Sequence, residues 1–136
     1  MYEATCSNPL DPIMTPTSAL VLLAHGSRAP ETLEELEALT KNLQIQRPEK
    51  AIRYAFLTLI DPDLDKVIAQ LIEAKINEIR ILPLFLFNGK HLLEDIPQLI
   101  EQNRLRYPEA KIEVGKALGV EEKFIPFLLD LAELPS

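Results

Sequence analysis

Residues 18–28 read Ser-Ala-Leu-Val-Leu-Leu-Ala-His-Gly-Ser-Arg, an apolar run that ends abruptly in a histidine, a glycine and a hydroxyl. An apolar run of this length bounded by turn residues reads as a buried strand. Polar groups placed directly after such a strand stand where a parallel sheet presents its chemistry, beyond the carboxyl ends of the strands. Gly26 lets the backbone turn tightly, and Pro30 suits the first position of a helix. A strand, a site-bearing turn and a helix in succession are the opening unit of an α/β fold.

The rest of the chain repeats that alternation. Leu33, Leu36, Leu39 and Leu43 form one helical stripe, and Glu31, Glu34, Glu35 and Glu37 occupy the first turns, where acidic groups suit the positive helix start. Residues 51–58 follow as a second strand. Asp61 beside Pro62 predicts a helix entrance capped by the Asp61 carboxylate. Leu64, Val67, Ile68, Leu71 and Ile72 then recur at i, i+3, i+4, i+7 and i+8, which defines one buried face. Residues 78–87 form a third strand, apolar on both faces, but proline removes a ladder hydrogen bond. Regular pairing is therefore expected to end near Pro83, with residues 84–87 leading out of the sheet. A third helix carries Pro97 in its first turn, Asp95 as its cap, and Ile96, Leu99 and Ile100 on its buried face. Residues 111–115 are a short fourth strand. Val120, Phe124, Phe127, Leu128 and Leu131 supply a terminal helix in which Pro126 can introduce a bend. The order βαβαβαβα with short connections implies an α/β, flavodoxin-like fold: a four-stranded parallel sheet with helices on both faces.

Composition sets the limits on function. The 136 residues, 47% hydrophobic and 26% charged, suit one globular domain. Residues 18–136 are expected to form it, and residues 1–17, with Pro9, Pro12 and Pro16 and no periodicity, read as a flexible N-terminal arm dispensable for the chemistry. No window approaches the roughly 18 apolar residues of a membrane span. The start of the chain also lacks a signal-peptide pattern, so a cytoplasmic location and no membrane partner are expected. Cys6 is the single cysteine, which excludes an intrachain disulfide framework and an all-cysteine metal cage. The net charge of −7 opposes a phosphate backbone and excludes nucleic acid as a natural partner. Any polyanionic small ligand would need a locally basic pocket.

His25 and His91 are the only histidines, and both fall just beyond predicted strand ends. In a parallel sheet those ends share one edge, making the two neighbours across a cleft. Neutral imidazole ligates first-row divalent metals and is a general base near neutral pH, so the pair is a candidate metal or proton-transfer site. A histidine after a strand is also a common structural residue, and Gly26-Ser27 can serve merely as a connector with a capping hydroxyl. A serine hydrolase would need the G-x-S-x-G elbow, which is absent, as are the phosphate-binding patterns G-x-x-x-x-G-K-[ST] and G-x-G-x-x-G. Asp61, Asp63 and Asp65 read as helix-start acids rather than a calcium site.

Several of these pieces together match a known pattern. Leu22-Leu23-Ala24-His25-Gly26-Ser27-Arg28, Ala55-Phe56-Leu57 followed by Pro62, Pro83-Leu84-Phe85-Leu86, and Gly89-Lys90-His91 with Asp95-Ile96-Pro97 resemble the short CbiX-type sirohydrochlorin chelatases. These are class II chelatases of cobalamin and siroheme synthesis. The likeness runs in order from about residue 20 to 131. It implies a chelatase-like fold and ATP-independent insertion of cobalt, or iron or nickel in relatives, into a tetrapyrrole, with the divalent metal as substrate and no organic cofactor. It also implies a homodimer, because longer members fuse two such domains around one cleft. By that likeness His25 and His91 bind the metal and one of them accepts pyrrole protons. Ser27, Arg28, Leu84, Phe85 and Lys90 would contact the substrate, with Arg28, Arg53, Lys90 and Lys116 as candidates for a positive rim facing its carboxylates. Relatives commonly carry a glutamate where this chain has Thr58, a weak ligand and no base, so Glu94 or Asp95 would have to substitute or the site is weakened. Three functions follow as expectations: a chelatase, a non-catalytic tetrapyrrole- or metal-binding protein, and a structural or regulatory α/β domain.

Overall fold

The apolar run that opens at Ser18 forms strand β1 (Ser18–Ala24), in which Val21, Leu22 and Leu23 are buried. A strand apolar on both faces must be covered twice, and β1 is central. It pairs in parallel with β2 (Ala51–Phe56) on one side and β3 (Glu78–Pro83) on the other. In turn β3 pairs in parallel with β4 (Lys111–Val114), giving the order β2-β1-β3-β4. This is the flavodoxin-like wind, whose direction reverses between β1 and β3. The computed structural model describes residues 16–26, 29–57, 60–90 and 94–134.

Alternation along β1 divides the core between two faces. Val21 and Leu23 join Ala55, Ile79, Ile81 and Ile112 under α2 (Leu64–Glu73) and α3 (Ile96–Arg106), whose Val67, Ile68, Leu71, Ile96 and Ile100 are buried there. Leu22 turns the other way, to Phe56 and to Leu36 of α1 (Pro30–Gln46). Tyr54 secures the same face, its hydroxyl donating to Glu37 Oε2 at 3.4 Å. Partial burial first, and then the Glu37 carboxylate, raise that phenol above its ordinary pKa of about 10, so it remains a neutral donor. A last helix, α4 (Phe124–Ala132), follows a short 3-10 turn at Leu118–Val120.

Several expectations are corrected here. The α1 stripe is narrower than its four leucines: Leu36 is buried and Leu43 half-buried, but Leu33 and Leu39 are 36% and 43% exposed. Successive helical residues turn by about 100°, which places Leu33 and Leu39 about 60° to either side of Leu36 and Leu43 within about 20° of it. Asp63, not Asp61, caps α2. Its extended backbone lets the carboxylate accept from Lys66 N at 2.8 Å, whereas Asp61 bonds the Lys66 ammonium at 2.6 Å. That hydrogen bond raises the pKa of Lys66. The peptide between Asp61 and Pro62 is cis, and Phe56 N–H donates to Pro62 O at 2.9 Å, so the chain returns along the end of β2 before α2 begins. Asp95 already has helical backbone angles and makes no capping hydrogen bond to α3. The terminal helix spans fewer residues than its apolar pattern, with Val120 in the 3-10 turn, Pro126 within the first turn of α4, and none of its residues buried.

Pro83 sits at the end of β3 for a clear reason. Leu84 N–H donates to Leu23 O at 2.8 Å on the β1 side, so the nitrogen of Pro83 faces the β4 side. There β4 has ended at Val114, opposite Ile81, and only Gly115 N–H continues the ladder, to Ile81 O at 2.8 Å. The missing donor falls beyond the last strand pair.

Candidate functional site

His25 is the first residue after β1, exposed at the carboxyl edge of the sheet. Gly26 follows at φ 120°, a backbone region open to glycine and strained for other residues, and this turns the chain sharply next to the imidazole. Strands β1 and β3 are in register from Ser18 opposite Glu78 to Leu23 opposite Pro83, so the chain leaves both at the same level. Phe85 accordingly meets His25, with ring centroids 6.1 Å apart and planes tilted by 55°. On the other side Leu57 N–H donates to Ala24 O at 2.9 Å, holding the exit of β2 against that of β1. Leu84 and Phe85 are half-buried and pack on opposite core faces, Leu84 with the α1 cluster and Phe85 with the α2–α3 cluster. Phe85 thus serves both the core and the edge of the site.

The segment after β3 is tied down by the segment after β4. Leu118 N–H donates to Phe85 O at 2.7 Å and Gly119 N–H to Leu86 O at 2.6 Å. A Cβ on Gly119 would lie 2.2 Å from Leu86 O, so only glycine permits this approach. Gly119→Ala is expected to cost about 1–3 kcal/mol, the usual effect of overpacking, read as a lower urea midpoint. The sequence shows a glycine at this position but not its partner, which lies 33 residues earlier in the chain.

Among the predicted site residues, His25, Leu84, Phe85 and Lys90 are described, and the first and third are in contact. Lys90 is exposed, immediately before His91 in sequence. His91, Ser27, Arg28 and Thr58 lie outside the described residues. Arg53 does not belong to the rim. It pairs with Val21 in mid-strand, and its guanidinium donates to Ile52 O at 3.1 Å. Lys116 is exposed just past Gly115, on the β4 side. Glu94 is exposed and Asp95 half-buried at the start of α3. Among the described residues no group of three His, Cys, Asp or Glu side chains is placed to hold a metal ion. A hollow of about 420 Å³ bounded by Ile72, Lys75, Asn77 and Tyr107 lies at the amino ends of β3 and β4, at the opposite edge from His25. The chemistry available at the carboxyl edge is an accessible imidazole beside an aromatic face, suited to an ion and a flat apolar ligand together.

A CbiX family model matches residues 19–133. The sirohydrochlorin ferrochelatase of Priestia megaterium is 30% identical over 116 residues, which cover 82% of this chain and 42% of that protein. The solved structure of a cobalamin (vitamin B12) biosynthesis CbiX protein from Marinobacter aquaeolei VT8 superposes with a TM-score of 0.72 at 26% identity, covering 85% of this chain and 94% of that one. The sirohydrochlorin chelatase of Bacillus subtilis subspecies spizizenii in complex with cobalt shares the fold, with a TM-score of 0.73 at 24% identity, over 86% of this chain and 50% of that one. The chain therefore spans about half the length of two of these relatives and nearly the full length of the third.

Proposed function

Because this chain belongs to the CbiX family, we propose that it is a chelatase that inserts a divalent metal, cobalt foremost and iron or nickel as alternatives, into sirohydrochlorin or a related tetrapyrrole without ATP. The observation that carries this reading is the exposed His25 at the carboxyl edge of β1, against Phe85, in a chain matched by the family model almost throughout. In this reading His25 and His91 hold the incoming ion through neutral imidazole nitrogens. Two such ligands leave coordination positions open, so the ion can be handed on to four pyrrole nitrogens. Two pyrrole N–H protons must depart as the metal enters; an imidazole released from the metal accepts one of them and solvent water takes the other. Leu84 and Phe85 face the macrocycle, Ser27 donates a hydrogen bond, and Arg28 and Lys90 pair with its carboxylates, offsetting the net charge of −7.

The working unit is a homodimer in the cytoplasm, each chain contributing residues 18–136 as one chelatase domain, with residues 1–17 as a dispensable arm. No described helix is long and apolar enough to cross a membrane. Thr58 favours a second reading, a non-catalytic tetrapyrrole- or metal-binding protein, because its hydroxyl cannot act as a base near neutrality. Mixing the purified protein with metal-free sirohydrochlorin and cobalt(II), and following the absorption change, separates the two. The chelatase reading expects a rate above the protein-free background, raised further by Thr58→Glu. Tight tetrapyrrole binding without acceleration, in both forms, would establish the second reading. Binding of neither metal nor tetrapyrrole would leave a structural or regulatory domain.

A further inference from the structure

The imidazole of His25 is exposed, and an exposed side chain on a connection samples several staggered rotamers unless a neighbour restrains it. The aromatic ring beside it is that of Phe85, at 6.1 Å between centroids. Phe85 is itself half-buried against the α2–α3 cluster, so its ring is placed by the path of the chain after β3. That stretch is held on two sides. Leu84 N–H donates to Leu23 O at 2.8 Å towards β1, while Leu118 N–H and Gly119 N–H donate to Phe85 O and Leu86 O at 2.7 and 2.6 Å. The turn at Leu118–Val120 thus directs onto the exit of β3 the amide groups that the start of a helical turn leaves without internal partners.

The turn is a firm support. Ala117 before it is fully buried, and Gly115 N–H donates to Ile81 O at 2.8 Å, so Gly115, Leu118 and Gly119 all tie this stretch to β3 and its exit. The closest approach is at Gly119, where an added Cβ would lie 2.2 Å from Leu86 O and 3.2 Å from Leu86 C. Both are backbone atoms, which cannot swing aside as the end of a side chain can, so a methyl group there has to part the two segments. Moving Leu86 O back to ordinary contact takes about 1 Å, and a displacement of that size at a reacting group costs up to about 10²-fold in rate. Phe85, bonded directly to Leu86, carries the displacement to the imidazole.

We propose that Gly119 and the Leu118 amide are positioning elements for His25: they fix the exit of β3, which places Phe85, which in turn sets the orientation of the imidazole. Neither touches the metal or the tetrapyrrole in this role. Ligating and proton-accepting groups work only within about 0.5 Å of their productive geometry, and that precision comes from the residues packed behind them. The inference rests on the chelatase reading for its effect on rate, but not for its effect on His25.

Proton NMR of the metal-free full chain reads the contact directly, because the chain has two histidines and His25→Ala identifies the signals of this one. Phe85→Leu removes the field of the aromatic ring and is expected to shift the His25 imidazole signals. Gly119→Ala is expected to shift them in the same direction and to lower kcat for cobalt insertion by about 10–10²-fold, with KM for sirohydrochlorin changed far less. Leu118→Pro is a second variant, expected to act likewise. Ala117 is already extended (φ −58°, ψ 145°), as a residue before proline must be, and the change removes the N–H bonded to Phe85 O. Where Gly119→Ala does not fold, Leu118→Pro decides. Leu71→Ala, at a position 2% exposed in α2, weakens the fold by opening a cavity and is expected to leave both the signals and kcat at their wild-type values. Signals or kcat at wild-type values in the folded variants of the turn would overturn the proposal, as would equal changes in Leu71→Ala. A wild type that inserts no cobalt would end the chelatase reading alone; the positioning role is then decided by the signals and by cobalt(II) affinity, expected to fall in both variants of the turn.

Discussion

Replacing His25 by alanine is expected to slow cobalt insertion into metal-free sirohydrochlorin by about 10²–10⁴-fold, the usual contribution of a positioned acid–base group. The side chain is exposed at the end of β1, and the loss of its ring contact with Phe85 is worth about 0.5–1.5 kcal/mol. Activity and folding should therefore separate, with a large fall in rate beside a small fall in melting temperature. The same variant should bind cobalt(II) more weakly in the absence of tetrapyrrole, seen as loss of its visible ligand-field absorption. Imidazole added to the buffer should restore part of the lost rate by supplying the missing nitrogen. A variant that inserts cobalt at the wild-type rate would remove His25 from the metal site and leave the edge beside Phe85 as a docking surface alone.

Phe56→Ala should have the opposite signature. Phe56 is 2% exposed at the end of β2, its ring 5.9 Å from that of Tyr54, in the cluster with Leu22 and Leu36 that holds α1 on the sheet. Truncating a buried phenylalanine costs about 3–5 kcal/mol, a large part of the roughly 5–15 kcal/mol by which domains are stable. The urea midpoint should fall steeply or the native state should be lost. Phe56→Leu, which keeps most of the volume, should cost less than about 1.5 kcal/mol. Because its backbone N–H also holds Pro62, loosening this position should reach the connection into α2 as well.

Periodicity carried most of the fold. Apolar runs closed by turn residues mark β1 and β3, and the spacing of Leu64, Val67, Ile68 and Leu71 defines the buried face of α2. The placement of His25 at the carboxyl edge follows from the parallel sheet alone, since the order of elements implies where the strands end. Partners distant in sequence were not legible. Asn103 looks like a polar surface residue of α3, yet it is fully buried and its amide nitrogen donates at 2.8 Å to both Asp65 of α2 and Leu99 O, tying the two helices together. Gly119 reveals its purpose only when Leu86 O is brought against it. The caps failed for a local reason. A carboxylate caps only when its own backbone is extended, and the neighbouring acids at Asp61, Asp63 and Asp95 do not show in sequence which one is extended. The apolar positions of α4 were readable as a helix, but periodicity cannot say whether a helix is covered by its own chain.

The shortness of β4 has a consequence for solubility. An edge strand offers a row of unpaired backbone groups on which another chain can lengthen the sheet, and natural proteins keep such edges short and charged. Here the edge is four residues, Lys111–Val114, with Lys111 and Glu113 exposed and the latter 3.5 Å from Arg80 on the neighbouring strand. Strand addition at this edge would gain few hydrogen bonds and would crowd an ion pair, so uncontrolled growth of the sheet into fibres is discouraged on the side of the molecule where the chain continues towards its most apolar helix.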